Sequence, residues 1–161
     1  MIHCRSTRKG LFKHIYEEDA QAIRALVKDG ADINALDERG TPALIFASEN
    51  DCRAVVGLLV ELGARTDVKC RNGLYSPLMV AVIEGHVRMT RVLVGLGMDM
   101  EEKDAEGRTA LHLAALLRRA DVVRCLRKLG ARVRTTDHKR STPVATAMIL
   151  GHRDMVLALV S

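Results

Sequence analysis

The chain has 161 residues, 48% apolar and 28% charged, which is the size of one domain and excludes general disorder. A formal net charge of +5 keeps acidic partners and nucleic acid open. No uncharged run exceeds the twelve residues from Asn72 to Ile83, short of the ~18–20 that a bilayer span needs, so no membrane partner is expected.

Residues 1–8 read as an N-terminal tail with no apolar stretch behind its charges, so no secretory leader is expected. From there the chain repeats. Gly30, Gly63, Gly97 and Gly130 are spaced 33, 34 and 33, and Leu11, Leu44, Leu78, Leu111 and Val144 are spaced 33, 34, 33 and 33. Asp37, Cys70, Asp104 and Asp137 keep the same register. Three independent markers divide the chain into units at 9–36, 37–69, 70–103, 104–136 and 137–161, the last of them incomplete.

The fourth unit shows the logic. Asp104-Ala105-Glu106-Gly107 is turn chemistry, and Thr109 stands as an N-cap before the apolar run Ala110–Leu117. A second helix is expected over Asp121–Leu129, with Val122, Val123, Cys125, Leu126 and Leu129 on one face and Gly130 closing it. Units three and five place Pro77 and Pro143 behind Ser76 and Thr142, where a proline in the first helical turn loses no hydrogen bond. Neither helix can bury its stripe alone, so stacking of neighbouring units into an all-α solenoid is expected. At the last helix, Met155, Val156, Leu159 and Val160 are expected to be partly uncovered.

These residues resemble ankyrin repeats. The likeness is best in Asp104-Ala105-Glu106-Gly107-Arg108-Thr109-Ala110-Leu111-His112-Leu113-Ala114-Ala115, and Gly85-His86 and Gly151-His152 match the family's Gly-His pair. It covers about residues 9–161 and implies helix–loop–helix units joined by β-hairpin-like turns, with repeat 1 as an N-terminal cap. Departures are Glu18-Asp19, Asp51-Cys52 and Arg118-Arg119 in place of Gly-His. Pro42-Ala43 leaves Thr41 one residue early as a cap, and an extra residue after Gly73 leaves Leu74 and Tyr75 at a hairpin tip.

Catalytic and cofactor motifs are absent. Gly95-Leu96-Gly97-Met98-Asp99-Met100 lacks the third glycine and the preceding strand of a dinucleotide site. Cys4, Cys52, Cys70 and Cys125 form no CxxC pair, so no metal is implied and reduced thiols in a cytoplasmic or nuclear protein are expected. Cys70, at a hairpin start, is the one thiol with a reactive role to weigh. His86, His112 and His152 sit where the resemblance implies ties between turns and neighbouring backbone. Asn34 lies in a context similar to ankyrin asparagines that are hydroxylated, against the simpler reading that its amide bridges two loops.

The resemblance implies a non-catalytic interaction module, an adaptor or scaffold, that holds another protein in the groove between hairpin tips and first helices. By register, Arg39, Arg71, Asn72, Tyr75, Arg108 and Lys139 stand on the tips, and Ile83, Glu84, Leu116, Leu117, Ile149 and Leu150 on the first helices. Apolar residues recurring at exposed positions of three units mark an interaction surface. Residues 103–161 carry 12 basic and 5 acidic side chains, which favours an acidic or apolar peptide segment bound by a monomer. The alternative is a nucleic-acid-associated or transcription-regulatory role for this basic third, against which the missing aromatic stacking residues speak.

Overall fold

The computed structural model describes residues 10–70 and 73–160, which form two compact units divided between Pro77 and Leu78. In the first unit, helix α1 covers residues 10–16, followed by α2 (Ala20–Lys28), α3 (Ala43–Glu49) and α4 (Arg53–Glu61). Helix α2 starts because the Asp19 carboxylate accepts the Ala22 N–H at 3.0 Å. Pro42 rather than Thr41 caps α3, without a side-chain bond, as the early position of Thr41 foreshadows. Helix α4 packs on both α2 and α3, and Phe12 meets Phe46 edge-on with ring centroids 5.2 Å apart. Leu11, Ile15, Ile23, Leu44 and Leu59 are fully buried, each side chain contributing ~1.5–3 kcal/mol relative to exposure.

The second unit holds α5 (Pro77–Glu84), α6 (Val87–Gly95), α7 (Ala110–Leu116), α8 (Ala120–Lys128), α9 (Pro143–Ile149) and α10 (Arg153–Val160). First helices stack on first helices, α7 on α9, and second on second, α6 on α8 and α8 on α10. Thr109 caps α7 as expected, in a reciprocal box with His112. Thr142 caps α9 by accepting the Ala145 N–H at 3.1 Å, with Pro143 in the first turn. Helix α8 runs one residue earlier than the spacing predicts, and Gly130 follows it in the left-handed region at φ +97°.

Three of the hairpins use one device. The backbone N–H of Asp37, Asp104 and Asp137 donates to the carbonyl of Thr41, Arg108 and Ser141, while each carboxylate accepts the N–H groups two and four residues ahead. Burial pushes the Asp37 carboxyl up, but the Thr41 and Arg39 N–H groups and the Arg39 guanidinium outweigh it and hold it below its ordinary value. The only bridge of strand type among the described residues joins Leu36 to Pro42.

Two expectations need correction. Tyr75 does not stand at a tip: its carbonyl accepts the Cys70 N–H at 3.0 Å, so it occupies the closing position of its hairpin and the extra residue is absorbed before it. Met155 and Leu159 are not uncovered but 0% and 1% exposed, because α10 turns them onto α8 and α9. Val156 is half-buried, Val160 is open to solvent as expected, and so are Met148, Ile149, Leu150 and Leu157 of the same repeat.

Candidate partner-binding surface

In the second unit, α7 and α9 present their C-terminal turns side by side, and the hairpins before them are locked together. His112, only 1% exposed, organises this point: its Nδ1 accepts the Thr109 N–H at 3.2 Å, which leaves Nε2 to donate to the Ser141 carbonyl at 3.0 Å. Burial pushes its pKa down, and the Ser141 carbonyl with Asp137 pulls it only partly back. His152 ties the same two repeats in the other direction, its Nδ1 lying 3.3 Å from the Ala115 carbonyl. At the Gly-His position repeat four carries Arg118-Arg119 instead, and the Arg119 guanidinium donates to the Ile83 carbonyl at 3.0 and 2.7 Å.

Between the hairpin tips and the first helices lies a concavity of about 500 Å³. Leu116, Ile149 and Leu150 make its apolar wall; Ile149 is 79% exposed, among the most open large apolar side chains of the fold. Ala105, Glu106, Arg108, His138 and Lys139 rim it, and Asp137, Ser141 and Thr146 complete the lining. A cleft of this volume accepts two or three side chains of a bound segment, not a flat surface contact.

The sequence-predicted residues therefore divide. Arg108, Leu116, Lys139, Ile149 and Leu150 line this one cleft. Ile83, half-buried, Glu84 and Leu117 are not among its lining. Arg108 is also engaged, holding the buried Asp104 at 2.8 Å and Glu106 at 2.9 Å. In the first unit Arg39 is tied to Glu49 at 2.7 Å and Tyr75 is half-buried. Arg71 and Asn72 lie outside the described residues. Asp137 and Thr146 were missed by the sequence: the first reads only as a turn marker, and the second as helix interior although its Oγ1 meets Ser141 Oγ at 3.2 Å.

Other candidate chemistry has ordinary explanations. Asn34 bridges two loops, Nδ2 donating to the Gly63 carbonyl at 3.2 Å and Oδ1 accepting the Arg65 N–H at 2.8 Å. Cys52 and Cys125 are buried, and Cys70 is half-exposed. Burial, with Glu18 and Asp51 nearby, pushes the Cys52 thiol up to about 11, which leaves it protonated and unreactive at neutral pH. No described helix is long and apolar enough to cross a membrane.

Comparison with known proteins agrees with this geometry. The family model described as ankyrin repeats, three copies, matches residues 78–161. "Ankyrin repeat and SAM domain-containing protein 6" of Danio rerio is 34% identical over 120 residues, 73% of this chain and 16% of that protein. The "Nuclear factor NF-kappa-B p105 subunit" of Gallus gallus is 28% identical over 149 residues, 90% of this chain and 15% of that protein. "Ankyrin repeat domain-containing protein 63" of Homo sapiens is 36% identical over 100 residues, 60% of this chain and 26% of that protein. The chain thus spans between about a seventh and a quarter of the length of these relatives. With helix pairs, capped first helices and hairpin turns in a single register, and a family model covering more than half its length, this chain belongs to the ankyrin-repeat family.

Proposed function

We propose that this chain is a non-catalytic protein-interaction module, an adaptor or regulatory scaffold, which holds a segment of another protein in the cleft between α7, α9 and their hairpins. The observation that carries this reading is Ile149, left 79% exposed beside Leu116 and Leu150 at the wall of a cleft, where burial by a visitor would recover about 1.5–3 kcal/mol per large side chain. The protein acts as a monomer in a reducing compartment, cytoplasmic or nuclear; two buried free thiols support the second point. The test is affinity capture with wild type against an Ile149→Asp, Leu150→Asp double variant. Loss of specific capture with an unchanged thermal midpoint is expected, and equal capture by both proteins overturns the reading.

The basic third offers less support for nucleic acid. Arg118 and Arg124 are held by Asp154 at 3.1 Å and Asp121 at 2.6 Å, and Arg127 and Arg119 donate to the carbonyls of Ala158 and Ile83. These cations have structural duties along the second helices and turns, away from the cleft wall.

A further inference from the structure

Next in the chain to Lys139, which lines the cleft, stands an arginine at a hairpin position where other repeats use glycine. Gly40, Gly73 and Gly107 occupy one register position in three hairpins with φ of 79°, 65° and 76°; in the last hairpin the residue is Arg140, at φ 61°. A side chain there strains the backbone, as it does at Glu18, Asp51 and Arg118 in another register, and glycine would remove the strain. Among the described residues the Arg140 and Lys139 side chains have no ion-pair or hydrogen-bond partner, and both are exposed. The neighbouring carboxylates do not answer them. Asp137 Oδ1 is taken by the N–H groups of Lys139 and Ser141 at 2.9 and 2.8 Å, and Glu106 holds Arg108. Lys139 therefore stands as an unanswered cation at one lip of a cleft whose wall is aliphatic, with Arg140 next to it in the chain.

We propose that this lip selects an acidic, apolar-anchored segment of a partner protein: a carboxylate side chain meets Lys139 and Arg140 while a large apolar side chain nearby enters between Leu116, Ile149 and Leu150. The proposal rests on the partner-binding reading above and adds the chemistry of the partner. Exposed ion pairs add selectivity and encounter rate, and the apolar anchor adds most of the affinity. No Phe, Tyr or Trp lines the cleft, so a nucleic-acid strand would find only the His138 imidazole as a stacking platform.

The test is selection of a displayed random dodecapeptide library on the full chain, followed by anisotropy titration of the best synthetic peptide. Enriched peptides are expected to carry Asp or Glu within two residues of Leu, Ile, Met or Phe. Arg140→Gly is expected to weaken binding roughly fivefold while raising the thermal midpoint, a pairing that a merely structural arginine would not give. Lys139→Glu is expected to weaken it about tenfold, and a peptide with its acid replaced by Lys to recover affinity for that variant. Enriched peptides without acids, unchanged affinity in both variants, or competition for the cleft by dodecathymidylate overturn the proposed chemistry. No enrichment over a protein-free surface, or enrichment equal on Ile149→Asp, sinks the cleft reading itself and this proposal with it.

Discussion

His138 lies so close over the backbone of Gly107 that a Cβ added there falls 2.5 Å from the imidazole Cδ2 and 2.9 Å from the His138 backbone nitrogen. The same nitrogen donates to the Glu106 carbonyl at 3.0 Å, so the hairpins of two repeats are stitched at this contact. Gly107→Ala therefore meets backbone as well as side chain, and it also strains a residue at φ +76°. The expected loss is at least ~1–2 kcal/mol from the left-handed backbone, plus whatever the displaced hairpin adds. Urea unfolding checks it, and a midpoint equal to wild type would refute the close approach.

Stability should fall on acidification, through His112. Burial depresses its pKa below the ordinary 6.5, so as pH drops the unfolded chain takes up a proton before the folded one does. The contribution of this residue is complete above about 6.5 and is lost as pH falls toward the folded-state value. A proton on Nδ1 would also face the Thr109 N–H that this atom now accepts. Thermal melts at pH 7.5, 6.5 and 5.5 should show a declining midpoint, with a smaller decline in His112→Gln.

Arg119→Ala should cost about 1 kcal/mol, although the side chain is exposed. It deprives the Ile83 carbonyl of two charge-assisted donors and removes the guanidinium packed 3.2 Å from where a Gly85 Cβ would stand. Arg91→Ala, an exposed arginine on α6 with no such bond, is the matched control and should melt like wild type.

At Asn34 both ends of the amide are used, so the two obvious replacements should differ. Asn34→Ala loses the bonds to Gly63 and Arg65, for about 1–2 kcal/mol, while Asn34→Asp keeps the acceptor for the Arg65 N–H but sets a carboxylate oxygen against the Gly63 carbonyl in place of the donor. Equal destabilisation by the two variants would contradict the bridge.

Much of this architecture is legible because its markers are local. Thr109 and Thr142 cap helices for reasons contained within four residues, and Gly30, Gly63, Gly97 and Gly130, which close α2, α4, α6 and α8, announce their own backbone conformation. The cleft is less legible because it depends on which side chains remain unengaged once repeats stack. Arg108 and Lys139 look alike in sequence, yet one is consumed by Asp104 and Glu106 and the other is not. Arg119 reads as a loss of the Gly-His pair, whereas its guanidinium makes the tie that an imidazole makes at His152. Arg140 breaks the series Gly40, Gly73, Gly107 in the sequence, but that it keeps the left-handed backbone of those glycines, at φ 61°, is a fact of the structure alone.

Ties within the second unit reach the adjacent repeat: Lys103 to Thr136, Glu101 to Arg132 and Thr135, Arg118 to Asp154. None of these skips a neighbour. Tension applied along the chain would then peel this unit one layer after another, each rupture releasing about 33 residues, or roughly 110–120 Å of extended polypeptide. A molecule so laced would lengthen in even steps under load, as a spring of discrete turns does.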